Sequence, residues 1–469
     1  MEGRLVKCVL IVFLSGILFI IAPGCHKPIE TDLPEYKPVL SEILSRPESK
    51  SVTINVMADT AAELYYEYGT TPGTYTFKTS VKSQATRIPA EIVIENLTPS
   101  TEYFYRSRIR SSGSNGEYSA GTEHSFRTCR AAGSTFRFAI EADPHLDYNS
   151  DTAAYALTLR NILAADVDFM LDLGDTFMSE KLPSPILQGD IISRHQLLRS
   201  YFDNICHSVP LFLVLGNHEG ELGWRNTGTM PTLPVMVSNT RKYYFSNPLP
   251  DQFYSGNSTN ESSVGIRQNY YAWEWGDALF VVLDPFWYSV SKPGWGYTLG
   301  KQQYDWFKQV LAQSDASYKF VFSHNLVGGY GNDARGGAEY AHLFEMGGYN
   351  ADSTYGFDTY RPGWGKPIHE LMKEFNVTAF FHGHDHFYGK QEKDGIVYQE
   401  VPQPSNRNTT NISAADYGYR QGTLLPGRGY VLVTVSPGAV KLEYVGTFLP
   451  SEVSGTKTNK SIIHSYIIN

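Results

Sequence analysis

Side chains that bind metal ions follow five apolar segments of this 469-residue chain. In chain order, the five sets are Asp143-Pro144-His145, Gly174-Asp175, Gly216-Asn217-His218-Glu219, His324 and His384-Asp385-His386. Their imidazole, carboxylate and amide groups supply enough ligands for two metal ions that share one carboxylate. Each set alone is weak evidence, because a Gly-Asp pair is usually a turn and a single histidine usually belongs to the core. The ordered series of five predicts a binuclear hydrolytic metal centre.

Two metal ions suit the hydrolysis of phosphate esters. Phosphate monoesters hydrolyse so slowly in water that enzymes accelerate the reaction by up to ~10²¹-fold. A metal pair turns bound water into hydroxide and holds the phosphoryl oxygens for in-line attack. A shared carboxylate holds the two cations against their mutual repulsion. Phosphate esters are therefore the predicted substrates.

Predicted strands and helices alternate in the region that must position these residues. Apolar runs predict strands at 136–140, 167–173, 209–215, 319–323 and 377–381, and helical periodicity appears at 152–165, 191–205, 301–313 and 367–375. Residues 270–275 and 278–284 predict a hairpin around Gly276-Asp277. This alternation indicates an α/β domain with its site at the carboxyl ends of the strands. Later strands at 396–401, 430–435 and 440–445 are expected to complete a second sheet.

The ordered motifs Asp-x-His, Gly-Asp, Gly-Asn-His-Glu, His and Gly-His-x-His resemble those of the calcineurin-like metallophosphoesterases over about residues 136–388. This resemblance implies a four-layer αββα domain. It implies one metal ion held by Asp143, His145, Asp175 and His386. It implies a second ion held by Asp175, Asn217, His324 and His384, with Asp175 bridging. His218 would act on the phosphoryl group or the leaving oxygen as a cation or general acid.

Two residues near these motifs each have two alternative roles. Glu219 would either orient His218 by a hydrogen bond or stand at the beginning of a helix. His382 is not part of the family pattern, and we expect it to pack or to support the ligands.

An earlier region alternates polar and apolar residues as short strands do, which predicts a β-sandwich. Its segment 97–103, Leu-Thr-Pro-Ser-Thr-Glu-Tyr, resembles the corner of fibronectin type III domains. A sandwich before a phosphoesterase domain resembles the layout of purple acid phosphatases. His145 stands where those enzymes have glycine, and Met178 where they have a tyrosine ligand. We therefore expect divalent Mn, Fe, Zn or Ni rather than a tyrosinate-bound iron(III).

The first residues form a targeting segment. Arg4 and Lys7 precede an apolar run at 9–22, which is short for a membrane span. The ending Ala22-Pro23-Gly24-Cys25 resembles a bacterial lipoprotein signal, although Ala22 replaces the usual leucine. It implies a lipidated Cys25 anchoring the protein in the cell envelope, facing the periplasm or the surface. An ordinary secretory signal or an uncleaved anchor are the alternatives.

Composition narrows the class of partner. A formal net charge of −9 argues against a nucleic-acid polymer but not against a small phosphorylated substrate, since bound metal ions supply local positive charge. After loss of Cys8 and acylation of Cys25, only Cys129 and Cys206 remain, as a disulfide or as free thiols.

Insertions at 220–269 and 327–366 carry aromatic residues and Arg225, Arg241, Arg335 and Arg361. These arginines either pair substrate phosphate or are solvated.

The predicted organisation has four segments. They are a signal peptide at 1–24, a linker at 25–45, a fibronectin type III-like sandwich at 46–130 and the metallophosphoesterase domain at 134–469. The predicted function is an exported phosphomonoesterase that uses Asp175 and His218 for catalysis by metal-bound hydroxide. One alternative is a phosphodiesterase acting on nucleotides or phospholipid headgroups. An alternative of another class is a surface binding lipoprotein with a vestigial metal site.

Overall fold

The computed structural model describes residues 40–227, 231–455 and 457–469. The predicted signal segment, Cys25 and most of the linker lie outside these ranges, so export and lipidation stay predictions. Within the described ranges, no helix is both long enough and apolar enough to cross a membrane.

Nine strands form two packed sheets in the first part of the described chain. They are β1 (Leu40–Ser45), β2 (Val52–Ala58), β3 (Ala62–Gly69), β4 (Phe77–Lys78), β5 (Lys82–Gln84), β6 (Ala90–Ile94), β7 (Glu102–Ser111), β8 (Ser119–Ala120) and β9 (His124–Arg127). One sheet has the order β1-β2-β6. The other has the order β4-β3-β7-β8, with β5 also paired to β3 and β9 to β7. Ile54, Tyr66 and Tyr105 meet between the sheets, as a β-sandwich requires.

The predicted corner of the sandwich is closed by Tyr103. Its hydroxyl accepts a hydrogen bond from the backbone N–H of Thr98 at 2.9 Å. The ring is buried and packs in the same core as Leu97. The corner that the Leu-Thr-Pro segment predicted is therefore present.

Two larger sheets follow the sandwich. Their strands are β10 (Phe136–Glu141), β11 (Phe169–Asp172), β12 (Leu211–Leu213), β13 (Ser255–Gly256), β14 (Tyr271–Trp275), β15 (Ala278–Val282), β16 (Tyr318–Phe322), β17 (Ala379–His382), β18 (Tyr388–Lys393), β19 (Ile396–Glu400), β20 (Thr423–Leu425), β21 (Gly429–Ser436), β22 (Ala439–Gly446) and β23 (Ile462–Ile468). A six-stranded sheet has the order β12-β11-β10-β21-β22-β23. An eight-stranded sheet has the order β13-β14-β15-β16-β17-β19-β18-β20. The predicted hairpin is the antiparallel pair β14 and β15.

The C-terminal strands divide between the two sheets, which corrects the expectation that they complete the second one. Strand β19 does pair with β17 in the eight-stranded sheet. Strands β21, β22 and β23 instead extend the sheet that begins with β10, because β21 pairs antiparallel with the free edge of β10. Alternation of apolar residues identifies a strand but not its neighbour, so the sequence could not distinguish these edges.

Helices cover the outer faces of both sheets. They are α1 (Thr152–Ala164), α2 (Gln188–Phe202), α3 (Leu233–Tyr244), α4 (Lys301–Gln313), α5 (Phe344–Gly347), α6 (Phe357–Tyr360) and α7 (Ile368–Glu374). Helices α1 and α2 pack on the six-stranded sheet, and α4 and α7 pack on the eight-stranded sheet. Between the sheets, the rings of Phe138 and Phe280 lie 5.0 Å apart. These layers form the predicted αββα arrangement.

Both remaining cysteines are free thiols. Cys206 is buried behind the six-stranded sheet, and Cys129 is half-buried at the end of the sandwich. Burial raises the pKa of the Cys129 thiol to about 12. Between these two residues there is therefore no disulfide.

The guanidinium of Arg199 joins the sandwich to the α/β region. This side chain lies on α2 and is fully buried. It donates hydrogen bonds to five oxygen atoms. These are the hydroxyl and carbonyl oxygens of Ser41, the side-chain and carbonyl oxygens of Asn55, and the carbonyl oxygen of Tyr244. One cation therefore satisfies acceptors on β1, β2 and α3.

Replacing Arg199 with methionine is expected to lower the free energy of unfolding by at least about 3 kcal/mol. Five buried oxygen atoms would each lose a hydrogen bond from Arg199, and a buried polar group left unsatisfied costs about 1–3 kcal/mol. Urea denaturation measures the difference. Arg160→Met removes an exposed arginine from α1 and should change stability by less than about 0.5 kcal/mol. Equal losses in the two variants would contradict the assigned role.

Candidate metal centre

The predicted ligands lie where parallel strands of both sheets end. Asp143 and His145 follow β10, Asp175 follows β11, and Asn217 follows β12. In the other sheet, His324 follows β16, and His384 and His386 follow β17. Strands β10, β11 and β12 are mutually parallel, as are β16 and β17. The carboxyl ends of the two sheets therefore meet at one site.

Three overlapping groups of side chains are close enough to hold metal ions. In each group, the potential ligand atoms lie within 4.8 Å of one another. The groups are Asp143 with His145 and His386, then His145 with Asp175 and His218, and finally Asp175 with His324 and His384. The first and third groups contain most of the two predicted ligand sets. Asp175 has nitrogen atoms on both sides, with His145 Nε2 at 3.4 Å and His324 Nε2 at 3.1 Å.

Asp143 and Asp175 each have one carboxylate oxygen held by a backbone N–H group and the other directed into the cluster. Asp143 Oδ2 accepts from the backbone N–H of His384 at 2.8 Å, and Asp175 Oδ1 accepts from that of His218 at 2.7 Å. The remaining oxygens, Asp143 Oδ1 and Asp175 Oδ2, are buried without a hydrogen-bond partner. The same is true of His145 Nε2 and Asn217 Oδ1. Buried polar atoms rarely lack partners, so these four atoms fit a set of metal ligands.

Backbone carbonyls orient two of the imidazoles. His324 Nδ1 lies 2.9 Å from the carbonyl oxygen of Leu173, and His384 Nε2 lies 2.7 Å from that of Asp333. A carbonyl can only accept, so each of these nitrogens carries hydrogen. The opposite atoms, His324 Nε2 and His384 Nδ1, are 3.1 Å apart and can present lone pairs. A carbonyl that fixes the tautomer is typical of metal-binding histidine.

The electrostatics of the cluster favour cations. Burial opposes ionisation of Asp175, but the surrounding histidines outweigh it and hold its pKa well below the usual range. Burial likewise disfavours the His145 cation, yet Asp143 and Asp175 raise the pKa of His145 to about 9. The pKa of His324 is raised to about 10 for the same reason. Positive charge is therefore stabilised beside Asp143 and Asp175, whereas burial and neighbouring histidines lower the pKa of His384 and of His386 and keep these imidazoles neutral.

The backbone is unusual at most of the predicted ligands. Asp143, His145, Asp175, His384 and His386 have φ angles of 60°, 56°, 59°, 79° and 68°. Left-handed conformations are uncommon for residues other than glycine and cluster at functional sites. Gly383 permits a close approach here, since a Cβ atom at this position would lie 2.5 Å from Asp143 Oδ2. Local backbone geometry is thus adapted to turn these side chains towards one point.

Glu219 has neither of its predicted roles. Its carboxylate is buried and accepts from the backbone N–H groups of Gly216 at 2.5 Å and Thr176 at 2.7 Å. No α-helix begins at residue 219. Glu219 instead ties the loop after β12 to the loop after β11, which keeps Asn217 and Asp175 adjacent.

Glu180 is the partner of His218, and sequence analysis did not identify it. The Glu180 carboxylate is hydrogen-bonded to His218 Nδ1, and Arg225 Nη2 lies 3.4 Å from its other oxygen. On the opposite side of the ring, His218 Nε2 lies 3.9 Å from Asp175 Oδ2. Burial works against the Glu180 carboxylate, but His218 and Arg225 keep its pKa below the usual value. Glu180 therefore directs Nε2 of His218 towards the cluster.

A second carboxylate supports the Gly-His-x-His loop. Glu400 on β19 accepts from the backbone N–H groups of Asp385 at 3.0 Å and His386 at 3.2 Å. Its other oxygen lies 2.7 Å from Nδ1 of His382, which is fully buried. His382 thus has the supporting role expected of it.

Of the four insertion arginines, Arg225 is exposed and lies beside Glu180, and the other three are either internal or face the cleft. Arg241 pairs with Glu221 at 2.5 Å in a fully buried position, and Arg361 pairs with Glu345. These two are neither solvated nor available to phosphate. Arg335 lines a cleft of about 440 Å³ that also exposes His145, Asp175 and His218. Of the insertion arginines, Arg335 is therefore the one placed to contact a substrate phosphate among the residues that the structure describes.

Replacing Glu180 with glutamine is expected to slow hydrolysis of alkyl phosphates about tenfold, because a misdirected His218 protonates the leaving oxygen less well. Hydrolysis of p-nitrophenyl phosphate should slow less, since p-nitrophenolate departs without a proton. The measurement is kcat for both esters. A purely structural role would slow both equally, and restoration by Glu180→Asp would support positioning of His218.

Similarity to known proteins agrees with this geometry. A model of the calcineurin-like phosphoesterase family matches residues 136–388. The solved structure of PhoD superimposes with a TM-score of 0.65 and 15% identity, covering 92% of this chain and 91% of that one. Purple acid phosphatase PPD1 from seeds of yellow lupin (Lupinus luteus) superimposes with a TM-score of 0.60 and 17% identity, covering 91% of this chain and 73% of that one. At such identities the likeness shows a shared fold. No curated protein matches the chain.

Proposed function

This chain belongs to the calcineurin-like phosphoesterase family, whose members use a dinuclear metal centre, and we propose that it hydrolyses phosphate monoesters. The observation that carries the proposal is the convergence of buried, unpartnered ligand atoms beside a cationic cleft. Asp143, His145, Asp175 and His386 would hold one ion. Asp175, Asn217, His324 and His384 would hold the other. When bound, two divalent ions would acidify water and neutralise phosphoryl oxygens.

A monoester fits the charges around the cleft. Its transferable phosphoryl group is a dianion with three non-bridging oxygens, one more than in a diester. Arg335 lines the cleft, and among the described residues only its Nη1 donates, to Asp385 and to the carbonyl oxygen of His384. Its Nε and Nη2 groups remain for phosphoryl oxygens.

His218 supplies the proton that the leaving group needs. Water attacks phosphorus in line, a new P–O bond forms, and the bond to the ester oxygen breaks. His218 is held at Nδ1 by Glu180 and lines the cleft with its other face, so it transfers the Nε2 proton to the departing oxygen. The attacking water gives up one proton, and His218 takes up one proton through solvent to replace the one it donated, so the products are an alcohol and inorganic phosphate.

Hydrolysis of p-nitrophenyl phosphate and bis-p-nitrophenyl phosphate tests this function. Turnover should fall to background with chelator and return with Mn, Zn, Fe or Ni, with a higher kcat/KM for the monoester. A preference for the diester would identify a phosphodiesterase. Metal-induced thermal stabilisation without turnover of either ester would indicate a binding protein with a vestigial site.

We also propose that the protein is exported and anchored through a lipid on Cys25. The support is the basic, then apolar, then small-residue pattern that ends at Cys25. Fractionation of bacterial cells should place the protein with membranes and Cys25→Ser in the soluble fraction. Soluble wild-type protein would contradict the anchor.

A further inference from the structure

The cleft beside the metal centre is lined by polar and charged residues. Among the described residues, this holds both for the predicted metal ligands and for every other side chain of the lining. Small-molecule sites usually have mostly hydrophobic and aromatic walls with a few polar groups. An apolar leaving group would therefore gain little here, and a hydrophilic one would replace water without losing hydrogen bonds.

Positive charge exceeds negative charge in this cleft. Lys181, Arg335 and Arg407 line it, against the single carboxylate of Asp147 outside the ligand set. Arg335 already pairs with Asp385. Across the described residues, neither Lys181 nor Arg407 has a carboxylate within ion-pair distance, and Arg407 donates only to the carbonyl oxygen of Ser150. Both side chains are exposed, and two cations without an ion pair on one cleft favour an anionic ligand group.

Gln403 is the second sign of a ligand. Its side chain lines the cleft and the residue is only 9% exposed. Within the part of the chain that the structure describes, no hydrogen bond satisfies its amide. This amide faces the cleft, where a ligand hydroxyl can both donate to its oxygen and accept from its nitrogen.

We propose that the preferred substrate is a phosphate monoester of a hydroxyl-rich carbon skeleton that carries a second phosphate group. The inference rests on the proposed function and specifies its substrate class. The scissile phosphate occupies the metal centre, the second phosphate pairs with Lys181 and Arg407, and hydroxyls bond Gln403. The second phosphate only binds, so the reaction remains the hydrolysis already described.

Glucose 1-phosphate and glucose 1,6-bisphosphate test the charge requirement, because they differ only in the second phosphate. The purified full-length protein should have at least about tenfold higher kcat/KM for the bisphosphate, as expected of charge-assisted contacts. Lys181→Met should reduce this ratio about tenfold, and Arg407→Gln should also reduce it. Lys308→Met removes an exposed lysine from α4, away from the cleft, and should leave the ratio and basal activity unchanged.

Gln403→Leu tests the hydroxyl contact. It should lower the ratio of kcat/KM for glucose 1-phosphate to that for p-nitrophenyl phosphate about tenfold, since leucine neither donates nor accepts. The inference alone would be overturned if the protein hydrolyses p-nitrophenyl phosphate but has equal kcat/KM for the two sugar phosphates, and if Lys181→Met leaves their ratio unchanged. Absence of turnover of every ester would overturn the proposed function itself.

Discussion

Replacing Asp175 with asparagine is expected to lower kcat for p-nitrophenyl phosphate by at least about 10³-fold, since a bridging ligand supports several kcal/mol of transition-state stabilisation. Asp175 Oδ2 is buried without a hydrogen-bond partner and has imidazole nitrogens at 3.1 Å and 3.4 Å. Asparagine can keep the acceptor for the backbone N–H of His218. It would then place an N–H₂ group where two cations need an anion.

Metal content separates this effect from misfolding. Asp175→Asn should bind fewer metal ions by elemental analysis and should lose the thermal stabilisation that metal gives the wild type. The matched control is Asp305→Asn, which alters an exposed carboxylate on α4 that forms an ion pair with Lys301. Retention of two metal ions and of turnover within tenfold of wild type would show that Asp175 does not bridge.

Replacing His218 with asparagine is expected to produce the second large loss, about 10²–10⁴-fold in kcat for alkyl phosphates. Its ring faces the cleft beside Asp175, and Glu180 holds the opposite nitrogen. An alkoxide leaves poorly unless protonated, whereas p-nitrophenolate needs no proton. The loss for p-nitrophenyl phosphate should therefore be smaller.

A plot of log kcat against leaving-group acidity measures this difference. The slope should become steeper in His218→Asn and remain unchanged in His342→Asn, which alters a histidine of the second insertion outside the cleft. Metal content should be normal in both variants, because His218 is not a predicted ligand. An equal loss for all leaving groups would assign His218 to phosphoryl binding.

Much of the site was predictable because strand ends are readable from sequence. Apolar runs located β10, β11, β16 and β17, and polar residues directly after them were the candidates. Parallel strands place such residues on one edge, so the structure brings together the residues that the motifs singled out. Their binding of metal remains a prediction, whereas the family and the sandwich-plus-αββα fold are confirmed.

Contacts between distant, irregular segments were not predictable. Glu180 lies on a short 3₁₀ turn with no periodic pattern, and only the folded chain brings it to His218, 38 residues away. Helix α3 lies in the insertion at 220–269, where the sequence pattern predicts no helix. Its buried face includes Arg241, whose charge interrupts the apolar periodicity and is neutralised by Glu221. The sequence around such a residue does not indicate which distant residue it will contact.

The buried guanidinium of Arg199 has a consequence for how the protein unfolds. Tyr105 of the sandwich also donates to the carbonyl oxygen of His207, and Tyr254 of the α/β region donates to that of Pro47, both at 2.6 Å. Separating the two regions would strand a charge and several polar groups in an apolar surface. Sandwich and catalytic sheets should therefore melt in a single calorimetric transition. A destabilising substitution in the sandwich core would then also lower the stability of the strand ends that carry the metal ligands. Such a substitution should therefore weaken metal retention.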